Sequence, residues 1–218
     1  MMSTGDSAGK SARPLVLDPR TSAVVCIELQ NGVLGAETPL PALAEEARGM
    51  VKSAARLLAG ARAAGVPVVH STFGGWLGST NFGTAPLWRA TAPGTADWGP
   101  GHPGVEVLPE LLEPSDIVLP RHHGLSATSG TELVALLRGR GVTDVIVAGV
   151  SLNVAIPLTV GDLSHEHLRA YVPRDAAVGT PAEYSEQVLR HTIGMLARVT
   201  TVDAIVGAWE AHAATAPR

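Results

Sequence analysis

Residues 142–157 read Val-Thr-Asp-Val-Ile-Val-Ala-Gly-Val-Ser-Leu-Asn-Val-Ala-Ile-Pro, and they restrict the fold more than any other stretch of the chain. The first half is an apolar, β-branched run without polar alternation, the pattern of a strand buried on both faces. It breaks at Gly149. A second apolar stretch follows at helical spacing, through Val154, Leu158 and Gly161, with Asp162 beyond. A buried strand that turns sharply into a helix sets backbone N–H groups at the carboxyl edge of a sheet. Open α/β folds bind ligands at that edge. The segment is therefore expected to form the floor of a site.

The rest of the chain repeats this strand-then-helix rhythm. Residues 23–28, Ala-Val-Val-Cys-Ile-Glu, read as a first buried strand that ends in a carboxylate, with 30–32 as the loop leaving its tip. A helix over 41–64 places Leu43, Ala47, Met50, Ala54, Leu57 and Ala61 on one face. Further strands are expected at 66–71, 116–119, 144–148 and 168–172, with a last short one from 199. Further helices are expected at 105–112, from an N-cap at Thr131 to 140, from Asn153, at 181–197 and at 203–211. Alternation over the full length predicts a three-layer α/β/α architecture with a doubly wound, mostly parallel sheet of about six strands. No internal repeat or linker interrupts it, so residues 15–218 are expected to form a single domain.

Composition narrows the function classes. The net charge of −4 comes without a basic run, which disfavours nucleic acid and anionic membranes as partners. No apolar run reaches transmembrane length. Residues 1–14 are rich in Ser, Gly and Ala and lack an apolar h-region, so they read as a disordered tail rather than a signal peptide. The single cysteine, Cys26, cannot form an internal disulfide, which fits a reducing, cytoplasmic setting. Residues 72–104 are different in kind: dense in Gly and Pro, with Phe73, Trp76, Phe82, Trp88 and Trp98. Loops of this length are uncommon inside a compact domain and often serve as lids or binding loops. The aromatics are expected either to wall a pocket or to pack an interface.

Four pieces of sequence together resemble the isochorismatase-like (cysteine hydrolase) family. The first strand with Leu29-Gln30-Asn31 resembles a strand that in the family ends Asp-x-Gln-Asn. Residues 122–133, with Ser126-Ala127 and Gly130-Thr131-Glu132-Leu133, resemble its Lys-x-x-x-Ser-Ala-Phe-x-Gly-Thr-x-Leu segment. Gly149 to Ala155 resembles its Gly-Val-x-Thr-x-x-Cys turn, and Asp175-Ala176 its Asp-Ala loop. The resemblance implies a triad of Asp, Lys and Cys, in which a thiolate attacks a carbonyl and backbone N–H groups hold the oxyanion. This chain departs from it at every position. The Asp position is Glu28. The Lys position is His122 in an ungapped alignment, or Arg121 if shifted by one. The Cys position is Ala155, whose methyl group cannot attack. The only lysines, Lys10 and Lys52, lie elsewhere. Cys26, inside a buried strand, is expected to be structural, since a desolvated thiol is unreactive.

The family's true isochorismatases imply a way around the missing thiol, because they dispense with it and use the strand-one carboxylate as an acid. Glu28 is expected to do acid/base work in the same way. Burial favours its protonated form and a neighbouring Arg121 or His122 the charged form, so the geometry of the pair decides. His122 or Arg121 is expected to assist, the backbone from Leu152 to Ala155 to receive developing negative charge, and Asn153 to orient substrate. Gln30, Phe73, Trp76, Trp98, Ser151 and Leu152 complete the expected substrate site. No cofactor or metal is expected. The Asp-x-His metal site of the nicotinamidase-type relatives has no counterpart in 72–76, His70 stands alone, and His165 and His167 point apart on a helix. Gly149 to Asn153 imitates a serine nucleophile elbow, with Asp175 and His191 or His212 following in order, but its fifth residue is Asn rather than Gly. The expected partner is a small-molecule substrate, and the resemblance implies a homo-oligomer, dimer or tetramer. The competing reading is a catalytically inactive family member that binds a small molecule or serves assembly.

Overall fold

The computed structural model describes residues 14–215, so most of the expected N-terminal tail lies outside the described residues. Seven strands form one sheet: β1 (Ser22–Ile27), β2 (Val68–Phe73), β3 (Ile117–Arg121), β4 (Asp144–Val150), β5 (Arg169–Pro173), β6 (Ala177–Val178) and β7 (Arg198–Thr200). Their order is β3-β2-β1-β4-β5-β7, with β6 beside the end of β4, and every pair is parallel. The helices are α1 (Asn31–Leu34), α2 (Pro41–Ala63), α3 (Pro86–Thr95), α4 (Leu133–Gly139), α5 (Ala155–His165), α6 (Ala182–Val188), α7 (Gly194–Leu196) and α8 (Val202–Thr215). Among the described residues no helix is long and apolar enough to cross a membrane.

The three-layer architecture follows from strands that are apolar on both faces. Val24, Cys26, Ile146 and Ala148 pack under α2 and α8 through Leu57, Leu58, Ile205 and Trp209. The alternate residues, Val25, Ile27, Val145 and Val147, pack under α4 and α5 through Leu133, Leu137, Val160 and Leu163. Both β1 and β4 are buried at every position, which is why neither shows polar alternation.

Several elements differ from the sequence reading. Residues 105–112 form no helix: a single 3-10 turn (Pro103–Val105) gives way to extended chain, because Val107 bridges to Gln30, Leu108 N–H bonds Leu29 O at 3.0 Å, and Pro109 supplies no donor. The aromatic stretch is not wholly irregular, since Pro86 starts α3 within it. Thr131 stands one residue before the cap position, Glu132, and its hydroxyl accepts from Leu133 N–H at the start of α4 at 3.4 Å while donating to Ala127 O at 2.7 Å. The helix expected from Asn153 begins at Ala155, and that expected over 181–197 is interrupted by a π-turn (Leu189–Ile193). Strand β3 runs on to Arg121, so that residue ends a strand rather than sitting in a turn.

A charged cluster lies beneath the sheet. His70 on β2 donates from Nε2 to Asp116 at 3.1 Å, and Arg62 on α2 holds the same carboxylate through Nη2 at 2.5 Å. His70 is 1% exposed, and its Nδ1 has no partner among the described residues. Burial holds its imidazole below the ordinary 6.5, against the pull of Asp116. For Asp116 burial works upward, but Arg62, the Glu113 N–H and His70 outweigh it and keep the carboxyl below 3.8. The sign is the same for both groups. The unfolded chain binds the proton first, so each contribution to stability is complete above the unfolded value and is lost on acidification. Stability is therefore expected to fall as pH drops below about 6.5 through His70, and again below about 3.8 through Asp116. In urea titrations at a series of pH values, His70→Gln should flatten the first of these slopes and leave the second. An unchanged first slope would assign it to other groups.

Candidate active site

The strand order reverses between β1 and β4: the chain runs outward from β1 to β3 and returns to pair β4 with β1. At such a switch point the loops after the two strands diverge and leave a crevice at their carboxyl ends. Glu28 follows β1, and residues 151–155 follow β4. The two strands approach closely there. A Cβ on Gly149, whose φ is 108°, would stand 2.2 Å from Ile27 O, so only glycine fits. Glu28 takes φ 52° as the chain leaves the sheet, and its N–H bonds Ser71 O at 2.9 Å.

Arg121 ends β3, with β2 between it and Glu28. It pairs with Phe73 in register, lays its guanidinium 5.9 Å from the Phe73 ring centroid, and reaches across to donate from Nη2 to Glu28 Oε1. The arginine is 2% exposed, whereas the Glu28 side chain keeps 16% exposure to the crevice. Nε and Nη1 of Arg121 have no hydrogen-bond partner among the described residues. Losing one member of a buried pair of this kind costs about 3–5 kcal/mol, because the other charge is left uncompensated. Of the two residues competing for the family's lysine position, the structure brings Arg121 to Glu28. His122 turns aside, its Nδ1 donating to Gly75 O at 2.9 Å outside the cavity wall.

The floor is the turn after β4. Leu152 N–H is not free for a ligand: it bonds Val178 O on β6 at 2.9 Å, and Leu152 is fully buried. Val154 N–H and Ile156 N–H both turn back to Ser151 O. Among the described residues, no acceptor engages the N–H groups of Asn153 and Ala155. The Asn153 side chain is a brace. Its Nδ2 donates to Thr180 O at 2.6 Å and its Oδ1 accepts from Thr180 N–H at 2.9 Å. Ser151 and Ala155 line the cavity.

The cavity above this floor measures about 270 Å³. Of the aromatics, Phe73, Trp88 and Trp98 line it. Trp76 stands behind them, edge-on to Phe73 with ring centroids 4.9 Å apart, and donates from Nε1 to Thr95 Oγ1 at 3.0 Å. Gln30 is fully buried and braces rather than binds: it accepts from Phe73 N–H at 2.7 Å and donates to Phe73 O and Gly104 O. Gly75, at φ 83°, lets this segment turn where a Cβ would stand 2.0 Å from Trp98 O. Sequence reasoning missed Val33, Leu40, Leu43, Leu87 and Thr180 in the wall. Leu43 carried a signal, but one that reads equally well as core, since it begins the apolar stripe of α2.

The alternative constellations do not assemble. Asp175 accepts from Val202 N–H at the start of α8, His212 lies 3.5 Å from Asp18, and His191 is exposed, so Ser151 gains neither base nor orienting acid. Among the described residues no group of three or more His, Cys, Asp or Glu is placed to hold a metal ion. Cys26 is 1% exposed, and burial pushes its thiol up to about 12.

Thiol accessibility checks this geometry. Cys26 should resist a disulfide reagent such as dithionitrobenzoate until the chain unfolds. The Ala155→Cys variant should present one fast-reacting thiol, because position 155 opens to the cavity. An introduced thiol as inert as Cys26 would mean that the cavity is closed in solution.

The comparisons agree with the geometry. The isochorismatase domain matches residues 22–204. An uncharacterized isochorismatase family protein of Escherichia coli is 30% identical over 204 residues, covering 89% of this chain and 99% of its own length. A ureidoacrylate amidohydrolase of Methylobacterium radiotolerans is 28% identical over 190 residues, covering 75% of this chain and 69% of the relative. The crystal structure of a cysteine hydrolase from Pseudomonas syringae pv. phaseolicola superposes with a TM-score of 0.79 at 23% identity, over 92% of this chain and 99% of that one. A sheet switch point that carries the strand-one carboxylate and the turn after β4, on a chain matched along most of its length, makes this protein a member of the isochorismatase family.

Proposed function

We propose that this chain hydrolyses a small carbonyl compound without forming a covalent intermediate, using Glu28 as general base. The observation that carries the reading is the Glu28–Arg121 pair at the foot of the cavity, beside Ala155 and two unengaged backbone N–H groups. The family relative named as an amidohydrolase supports acyl chemistry as the reaction class. Replacing a thiol by the Ala155 methyl leaves room over the turn for a water molecule.

The steps then follow from the residues. The substrate carbonyl oxygen accepts from Asn153 N–H and Ala155 N–H. Glu28 Oε2, which no protein donor engages among the described residues, takes a proton from water as the water oxygen adds to the carbonyl carbon. The tetrahedral oxyanion is held by the same two N–H groups. On collapse, the carbon–heteroatom bond breaks and the leaving group takes the proton from Glu28. Arg121 acts through Glu28, fixing one oxygen so that the other faces the cavity. His122 has no step in this scheme; it anchors Gly75 in the aromatic wall.

The second reading is a binding protein. It is favoured by the commitment of one Glu28 oxygen to Arg121 and by the absence of a nucleophile at position 155. The two readings separate on p-nitrophenyl acetate and acetanilide as probes. Under the hydrolase reading wild type turns over at least one probe. Glu28→Gln then lowers kcat about 100-fold or more, the usual scale for loss of a general base, in a protein that is still folded at the assay temperature although its thermal midpoint falls because Arg121 loses its partner. Arg121→Lys should lower kcat less and restore part of the pair. Equal rates for wild type and Glu28→Gln would remove Glu28 from the mechanism, and no turnover of either probe would leave the binding reading.

A further inference from the structure

We propose that the ligand of this cavity is electrically neutral: a single carbonyl-type head on an apolar body about the size of one ring, and not a carboxylate. This deepens the hydrolase reading and rests on the same site. It stands on how the polar groups of the cavity are already committed.

Charge comes first. Among the residues lining the cavity only Glu28 and Arg121 are charged, and they neutralise each other. Arg121 has no face left to offer. Its Nη2 donates to Glu28, and its Nε and Nη1 are sealed from solvent beside the Phe73 ring. A carboxylate entering the cavity would lose its hydration, find no accessible cation and lie near Glu28.

Three of the polar side chains of the wall are engaged as well. Thr91 donates to Leu87 O at 3.0 Å, Thr95 donates to Thr91 O at 3.1 Å and accepts from Trp76, and Asn153 is tied to Thr180. What remains is gathered at the floor and the corner beside it: Glu28 Oε2, the Ser151 and Thr180 hydroxyls and the N–H groups of Asn153 and Ala155. These groups serve one polar head. Everything above them is apolar, through Val33, Leu40, Leu43, Leu87, Trp88 and Val154. The volume of about 270 Å³ lies just below the usual range of ligand pockets, about 300 to 1,000 Å³. Ureidoacrylate, named for one relative, is a carboxylate and does not match this lining.

Benzamide and benzoate test the inference, because they share size and shape and differ in charge at pH 7.5. Each is titrated into the full chain, following the fluorescence of Trp88 and Trp98 in the cavity wall together with the thermal midpoint. Benzamide is expected to bind at least tenfold more tightly than benzoate. Glu28→Gln, which removes the negative charge from the floor, should shrink that ratio toward one by strengthening benzoate. Ala155→Phe, which fills the floor, should abolish both signals. Benzoate binding as tightly as benzamide, or no response to either at 20 mM, would overturn the inference. Failure of the hydrolase reading is separately visible: benzamide selectivity without turnover of the ester or anilide removes the chemistry but keeps the ligand class. Glu28-dependent turnover with a preference for benzoate does the reverse.

Discussion

The buried guanidinium of Arg121 and the carboxylate of Glu28 tie together two strand ends that are not neighbours. Strand β2 separates them, so the pair can close only by passing over Phe73, which gives the arginine an aromatic surface to lie on. That single contact orders much of the site. It fixes which way Glu28 faces, it makes Phe73 part of the site wall, and Phe73 in turn is held through both backbone groups by Gln30. The aromatic segment then builds outward from Phe73 through Trp76, Trp88 and Trp98. A charge this deeply buried demands a partner, and that demand organises the carboxyl edge of the sheet.

The turn after β4 obeys a second constraint. Gly149 lets the backbone of β4 pass Ile27 O, and the short β6 then takes up Leu152 N–H, so the turn is pinned from both sides. Asn153 and Thr180 close the same corner with two reciprocal bonds. The result is a loop braced on both sides, in which no acceptor among the described residues engages the N–H groups of Asn153 and Ala155 and the Ala155 methyl group lines the cavity.

How far the sequence could be read varies with the range of the interaction. The buried strands, the stripe of α2 and the strand-to-turn break at Gly149 were legible, because apolar periodicity and glycine placement are local signals. The short β6 was not, since two residues carry no period. The helix expected at 105–112 failed because Val107 found a partner in Gln30, far away in sequence, and because Pro109 lies inside it. The bracing bonds of the Gln30 and Asn153 side chains were not legible for a related reason. A buried amide reads the same whether its partner is a substrate or a backbone group brought in from a distant loop.

The sequence by itself determined the α/β class, the parallel sheet, the break after β4 at Gly149, and the presence of a methyl group rather than a thiol at position 155. Each of these follows from residue type or local pattern, and Ala155 needs no structure to be unreactive. Only the tertiary structure decided that Arg121 rather than His122 meets Glu28, and that Leu152 N–H is engaged while those of Asn153 and Ala155 are free. It alone decided that the cavity presents no unpaired cation among the described residues. Adjacent residues at the end of a strand point to different sides, so a one-residue choice of register separates a buried ion pair from a loop anchor. That choice is made by packing across the sheet, where Phe73 and the close approach of β1 to β4 leave room for one arrangement.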